Sequence, residues 1–304
     1  MGGPCEPAAV QDRDGRKGGV SVPAVLDEGQ GRRVGLKAVT VARRVFGQRL
    51  LSAYLIGSLA HEGFVAAVSD VDIALILAGA DPGDAARVHR VSRLVLEQDR
   101  SVLASRLSIF WSTAEGLRSR RPDGRLPAID WLDLIDSGKH VYGTALPVDT
   151  PRPHAGQLVE DTAEFAVSKW RHDPAWDRHL LDAAGLVREG RRAASKAALF
   201  PVRFLYTLTT GLAGGTHDAV AWYSTQARVT SRDLVAAAYD WRIRGFSDTS
   251  TAVRLLQEQL VPLYREFESS YRQQLLEQGL TDLADELTAT IARLDRPVLT
   301  QSDS

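Results

Sequence analysis

The stretch Leu51–Leu77, LSAYLIGSLAHEGFVAAVSDVDIALIL, decides the fold that we predict for this chain. It contains two short apolar runs that are rich in strand-forming residues, Leu51–Ile56 and Val71–Leu77. The pair Gly57-Ser58 ends the first run. This pattern predicts a strand, a sharp turn, a linker and a second strand.

Two aspartates, Asp70 and Asp72, open the second run. Side chains alternate along a strand, so both carboxylates are expected on one face, with Val71 and Ile73 on the other. Neighbouring like charges are unfavourable unless a cation lies between them. Because Mg²⁺ and Mn²⁺ prefer hard oxygen ligands, we predict that Asp70 and Asp72 hold a divalent metal ion.

The turn at Gly57-Ser58 is predicted to bind phosphate. Glycine allows a ligand to approach the backbone closely, and free N–H groups at a following helix start can hold phosphate oxygens together with the Ser58 hydroxyl. A phosphate-binding turn beside two metal-binding carboxylates provides the groups that are needed for attack on a nucleotide phosphate. The alternative is a surface loop in which the aspartates only cap a strand.

The same residues carry a family resemblance. Gly57-Ser58, a spacer of eleven residues and then Asp70-Val71-Asp72 resembles the signature of the polymerase-β-like nucleotidyltransferases. The segment DWLDLIDSGKHVYG, residues 130–143, resembles the helix and strand that close such domains. The resemblance implies a small mixed sheet with flanking helices.

Length and composition agree with an ordinary globular protein that has two domains. The chain has 304 residues, of which 44% are hydrophobic and 25% charged, and a net charge of −1. The charge gives no reason to expect bulk binding of nucleic acid. No apolar run is long enough for a membrane helix, so we expect a cytoplasmic protein without a membrane partner. The single cysteine, Cys5, excludes an internal disulfide.

The predicted class is α+β, in three parts. Residues 1–33 are rich in Gly, Pro, Asp and Arg and are predicted to be a disordered extension. Residues 34–149 form the nucleotidyltransferase domain, and 150–304 an all-α helical-bundle domain beyond a proline-rich linker. Further elements predicted in the first domain are the helices 34–46, 84–103 and 130–137, the strands 106–111 and 139–142, and a polar loop or frayed helix at 112–127. Helices predicted in the second domain are 157–171, 176–188, 191–210, 216–226, 231–244, 249–278 with a kink at Pro262, and 281–294.

A second resemblance lies in the stretch 196–223, KAALFPVRFLYTLTTGLAGGTHDAVAWY. It is similar to the C-terminal helical domain of two-domain aminoglycoside nucleotidyltransferases, in particular the streptomycin/spectinomycin adenylyltransferase type. The matching positions are Arg203, Thr210-Gly211 and Ala219–Trp222.

The resemblance implies transfer of a nucleoside monophosphate, most simply AMP from ATP, to a hydroxyl of a small molecule such as an aminoglycoside, with release of pyrophosphate. Antibiotic resistance would be one use of this reaction. Asp70 and Asp72 would be the catalytic and metal residues, with up to two Mg²⁺ ions. Gly57 and Ser58 would hold the phosphates of ATP or another nucleoside triphosphate. Lys196 and Arg203, which are seven residues apart and share a helix face, would neutralise them.

Two positions depart from the family pattern. The family supplies a third carboxylate on the next strand, where this chain has Ser108, and a serine is no base near neutral pH without an activator. The nearby carboxylates that could replace it are Glu115, Asp123 and Asp130. A family lysine is also absent, and His217 lies in its region, either to bind phosphate or to follow a Thr216 helix cap.

Three interpretations of the whole chain therefore remain open. The first is the small-molecule nucleotidyltransferase, and the second is nucleotidylation of a protein or a tRNA. The third is a catalytically degenerate member that binds nucleotide or a partner without turnover. Aromatic and acidic residues of the second domain are either the site of a cationic, sugar-like acceptor or core and helix-start residues. They are Trp170, Asp173, Trp176, Asp177, Trp222, Tyr223, Asp240 and Trp241.

Overall fold

The computed structural model describes residues 24–171, 176–227 and 229–295. Its first part contains four strands, which are β1 (Leu50–Ile56), β2 (Val71–Leu77), β3 (Leu107–Thr113) and β4 (Lys139–Gly143). The helices of this part are α1 (Ala24–Phe46), α2 (Asp84–Gln98), α3 (Ala114–Arg118) and α4 (Ala128–Ser137).

The four strands form one mixed sheet in the order β3-β2-β1-β4. β1 is antiparallel to both β2 and β4, whereas β2 and β3 are parallel and are connected through α2. The predicted pairing of α-helices with a small mixed sheet is therefore confirmed. The limits of the predicted domains stay a prediction.

The two faces of the sheet bury different helices. Side chains alternate along β2, so Ile73 and Leu75 lie on the face that packs against α1 and α2. Ala74 and Ile76 lie on the opposite face with Trp131 of α4. Asp72 belongs to this second face, and its position at the start of β2 puts it at the edge of the contact with α4.

After β4, every regular element in the described residues is helical. A single core, which includes Trp170, Leu263 and Phe267, runs through these helices. The helices are α5 (Ala155–Arg171), α6 (Trp176–Leu181), α7 (Ala183–Glu189), α8 (Arg191–Thr210), α9 (Thr216–Thr225), α10 (Arg232–Arg244), α11 (Thr249–Glu277) and α12 (Thr281–Ala292). None of the described helices has both the length and the apolarity needed to cross a membrane.

Several predicted boundaries are wrong. α1 begins at Ala24, so residues 24–33 are helical, whereas 1–23 lie outside the described residues. The predicted helix 176–188 is split, because the Asp182 side chain accepts a hydrogen bond from Gly185 N–H and begins α7. α2 ends at Gln98 rather than at 103. α11 continues through Pro262 as predicted, and the kink there stays a prediction.

Glycines in α1 explain why its first half does not read as a helix. Glycine is unfavourable in helix interiors, and Gly29, Gly31 and Gly35 fall in this stretch. A Cβ at Gly35 would lie 2.7 Å from Cδ2 of Leu55, and one at Gly31 would lie 2.6 Å from the Phe64 ring. These two glycines therefore allow α1 to approach β1 and the loop beyond it.

We expect Gly35→Val to lower the free energy of unfolding by about 1–3 kcal/mol, because the new side chain would overlap Leu55 in a packed core. Gly29→Ala is the matched control, since its nearest contact is an ordinary 3.7 Å to the Arg33 guanidinium. It should be neutral or stabilising by about 0.5–1 kcal/mol. Urea unfolding of both variants measures the difference, and equal stabilities would contradict the close packing of α1.

Candidate active site

The turn after β1 is shaped by Gly57. Its φ is +63°, in the left-handed region that favours glycine, and the residues Gly57–Leu59 form one turn of 3₁₀ helix. A Cβ at Gly57 would lie only 2.6 Å from Oδ2 of Asp72. Gly57 is thus required both by the backbone conformation and by the Asp72 carboxylate that packs against it.

Asp133 of α4 holds this turn from the other side. Its Oδ2 accepts the Gly57 N–H at 2.6 Å, and its Oδ1 lies 2.5 Å from Nε2 of His61. Asp133 is buried, so these contacts satisfy a carboxylate that has little access to water. The backbone N–H of Gly57 is therefore occupied by Asp133, and phosphate binding by the turn stays a prediction. The Ser58 hydroxyl, in contrast, has no hydrogen-bond partner among the described residues.

Asp70 is bound by two basic residues of α8. Its Oδ1 accepts from Nη2 of Arg192 at 2.6 Å, and its Oδ2 accepts from Nζ of Lys196 at 2.5 Å. Burial raises the pKa of Asp70, but the hydrogen bonds and charges of Lys196 and Arg192 outweigh this effect and the pKa is lowered. The predicted residues Asp70 and Lys196 thus meet directly across more than a hundred residues of sequence.

The loop that leads into Asp70 is held by arginines. Arg192 also donates to the carbonyl oxygen of Val68, and Nη2 of Arg242 donates to Oγ of Ser69 at 2.9 Å. Arg242 is buried, and burial together with the nearby Arg203 charge lowers its pKa to about 10. These contacts fix the linker between the Gly57-Ser58 turn and the aspartate pair against the C-terminal helices.

Asp72 has a different environment from Asp70. Its carboxylate makes no hydrogen bond or ion pair with any described residue. Burial, followed by repulsion from Asp70, raises its pKa to about 7, although Arg203 and Lys196 act in the opposite direction. Asp72 is therefore a carboxylate whose negative charge is under-compensated, on the same side of the sheet as α4.

The remaining predicted residues, Arg203 and His217, have different surroundings. Arg203 is exposed and makes no hydrogen bond or ion pair with the described residues, yet its charge acts on Asp72. His217 lies in α9, where its Nδ1 is 3.2 Å from the Tyr239 hydroxyl. Thr216 is not the helix cap, because α9 is preceded by Gly215, whose N–H donates to Asp218. His217 is the second residue of α9, so it is a helix-start residue as one alternative predicted, while its binding of phosphate stays a prediction.

The donor set at this site suits Mg²⁺ better than a metal held by protein alone. Within the described residues, no three His, Cys, Asp or Glu side chains are grouped so that they could hold a metal ion. Mg²⁺ usually keeps several waters and binds one or two carboxylates together with substrate phosphates. The pair Asp70 and Asp72, with one carboxylate that lacks a counter-charge, fits this kind of site.

The aromatic residues considered for an acceptor are mostly core residues. Trp170 and Trp176 stack with ring centroids 4.7 Å apart and are buried, and Trp241 is also buried. Asp177 pairs with Arg293 at 3.0 Å, while Asp173 lies outside the described residues. These three tryptophans therefore pack in the core, which is the alternative to an acceptor site.

Sequence reasoning missed several residues that shape the site. Arg192 lies one helical turn before Lys196, so a stripe of cations on α8 could have revealed it. Asp133, which is not among the predicted residues, lies three residues after the predicted Asp130 on α4, and this spacing indicates one acidic face. No local signal points to His61 or Arg242, since their partners are distant in sequence.

No family model matches the chain, and no curated protein matches it at a significant level. Among solved structures, the chain is similar to spectinomycin adenyltransferase AAD(9) from Enterococcus faecialis, which was crystallised with ATP and spectinomycin. The TM-score is 0.48 and the sequence identity 12%, over 87% of this chain and 99% of the other.

Gly57→Ala is expected to destabilise the protein and to displace Asp72. Any L-residue with positive φ is unfavourable by about 1–2 kcal/mol, and here the added Cβ also overlaps the carboxylate. The control is Gly47→Ala, which has a φ of +58° but no neighbour within 4 Å of the added atom. Urea unfolding should show a larger loss of stability for Gly57→Ala than for Gly47→Ala, because only the former adds the overlap to the backbone cost. Equal losses in both variants would contradict the close contact with Asp72.

The two aspartates should give opposite pH dependences of stability in EDTA. The pKa of Asp72 is raised from 3.8 to about 7, so its contribution to stability is complete below about pH 4 and is lost as the pH rises through 7. Asp72→Asn should therefore gain stability relative to the parent between pH 5 and pH 8. The lowered pKa of Asp70 gives stability above about pH 4, so Asp70→Asn should lose it at pH 7. Urea unfolding across this range checks both signs, and parallel curves for the two variants would refute them.

Proposed function

We propose that this protein is a Mg²⁺-dependent nucleotidyltransferase. It would move a nucleoside monophosphate, most simply AMP from ATP, onto a hydroxyl of a small molecule such as an aminoglycoside and release pyrophosphate. The observation that carries this proposal is the contact of the Asp72 carboxylate with the Gly57-Ser58 turn. The same turn carries the Ser58 hydroxyl, which has no partner among the described residues, and the charges of Arg203 and Lys196 of α8 act on Asp72 without fully compensating it.

In this proposal Asp70 and Asp72 hold the metal ion. When bound there, Mg²⁺ would neutralise charge on the triphosphate and on the two carboxylates. Asp72 suits this role because it has no competing partner among the described residues, whereas Asp70 would have to exchange its pairs with Arg192 and Lys196. That exchange would free two cations close to the site.

The triphosphate would be bound by groups from both parts of the chain. Ser58 offers a hydroxyl without a partner, and Arg203 offers an exposed guanidinium whose charge already acts on Asp72. Lys196 and Arg192, once released from Asp70, would add two positive charges on the same helix. Charge-assisted hydrogen bonds from such groups are the strong contacts of phosphate recognition. His217 remains a weaker candidate because its contact is with Tyr239.

A second candidate function follows from the ion pairs of Asp70. A carboxylate held by both Arg192 and Lys196 resembles a site in which protein cations have replaced the metal ion. Such a protein would bind nucleotide, or a partner, without turning it over. The two candidates differ in whether metal increases nucleotide affinity and whether pyrophosphate appears.

The test is calorimetric titration of ATP, GTP, CTP and UTP with Mg²⁺ and with EDTA, followed by pyrophosphate release with a panel of aminoglycosides. The proposal expects Mg²⁺-dependent binding of one nucleotide, with loss of about tenfold or more in affinity for Asp72→Ala, or about 1.4 kcal/mol. Glu115→Gln, an exposed residue paired with Arg118, is the matched carboxylate control and should bind as the parent does. Binding without metal dependence and without pyrophosphate would favour the second candidate, and no binding would refute both.

A further inference from the structure

Nucleotide transfer to a hydroxyl needs a group that takes the hydroxyl proton. General-base catalysis contributes about 10²–10⁴-fold to such steps. Asp70 and Asp72 are assigned to the metal in the proposed function and are not available. The neighbouring strand β3 offers no carboxylate, because the residue that pairs with Asp72 there is Ser108. A base must therefore come from another element of the fold.

Two of the carboxylates that follow Ser108 in the sequence, Glu115 and Asp123, form contacts that have other structural roles. Glu115 is exposed and forms an ion pair with Arg118 of its own helix. Asp123 accepts hydrogen bonds from the Thr113 N–H at 2.8 Å and from the Thr113 hydroxyl at 2.6 Å, which fixes the start of α3. Both carboxylates are therefore engaged by partners within the segment 113–123.

Asp130 differs from both. It lies in the first turn of α4, which packs on the sheet face that carries Asp72 and Ser108. Asp133 lies one turn later on the same side of α4, and it binds the N–H of Gly57, the residue that packs against Asp72. Helix α4 thus presents Asp130 on the side of the candidate site.

The surroundings of Asp130 leave its carboxyl group free. Asp130 is half-buried and makes no hydrogen bond or ion pair with any described residue. Burial, with repulsion from Asp72 and Asp133, raises its pKa to about 8, while Arg203 and Arg125 oppose the rise. The Asp130 carboxyl group therefore has no competing partner among the described residues.

We infer that Asp130 is the general base of the proposed transfer, and that this chain has moved the function from strand β3 to helix α4. The inference rests on the proposed function. The acceptor oxygen forms a bond to the α-phosphorus, and the bond from that phosphorus to the bridging oxygen of pyrophosphate breaks. The hydroxyl proton passes to the Asp130 carboxylate, and pyrophosphate leaves with the released electron pair.

Asp130→Asn is the decisive variant, because it keeps the shape of the side chain and removes its ability to take a proton. We expect kcat for pyrophosphate release to fall by about 100-fold or more, while the Kd for Mg²⁺-nucleotide, measured by calorimetry, stays within about twofold. Its free energy of unfolding should be equal to that of the parent or higher, since the amide removes a group whose ionisation is unfavourable in this partly buried position. Glu115→Gln is the control and should turn over as the parent does.

A rescue experiment separates catalysis from structure. Ser108 pairs with Asp72 across the two strands, so Ser108→Glu in the Asp130→Asn background returns a carboxylate to the same face. Recovery of kcat by tenfold or more without a change in Kd would support the inference. An active parent with unchanged turnover in Asp130→Asn would overturn the inference alone. A parent that releases no pyrophosphate with any nucleotide and aminoglycoside would overturn the proposed function as well.

Discussion

Asp70 and Asp72 lie two residues apart at a partly buried strand end, and the negative charge of each has to be balanced by nearby groups. The arrangement of the site follows from the unequal balance of these two charges. Asp70 receives two cations from α8, and its pKa falls. Asp72 receives none in direct contact, and its pKa rises to about 7. The repulsion between them is therefore resolved on one side only. The under-compensated side faces the Gly57 turn, where a ligand of opposite charge would be most favourable.

Two helices, α4 and α8, contribute to the site, and each has a separate role. Helix α4 fixes the turn, since Asp133 satisfies the Gly57 N–H and lies beside His61. Helix α8 supplies positive charge, and Arg192 binds both Asp70 and the preceding backbone. A displacement of α8 would therefore change the charge around the aspartates without disturbing the turn. The charge around the aspartate pair and the packing of the C-terminal helices are for this reason physically coupled.

The sequence predicts the local parts of this arrangement well and the long-range parts poorly. The strands around Gly57, the aspartate pair and the cations of α8 are visible because each depends on spacing within a few residues. The hydrogen bond between Asp133 and Gly57 joins residues that are 76 positions apart, and no sequence periodicity predicts it. The predicted start of α1 is wrong for a related reason. Gly31 and Gly35 weaken the helix pattern of the sequence, but they allow close packing against residues that are distant in sequence.

The position of Ser108 shows how a departure from a pattern can be compensated elsewhere. A carboxylate on β3 would stand directly beside Asp72 and would add a third negative charge to a pair that is already under-compensated. Asp130 reaches the same face from α4, and the exposed guanidinium of Arg203 acts on both Asp72 and Asp130. In the proposed transfer, Asp130 would take the proton within the field of Arg203, whose side chain has no partner among the described residues. A further negative charge beside Asp72 on β3 is avoided.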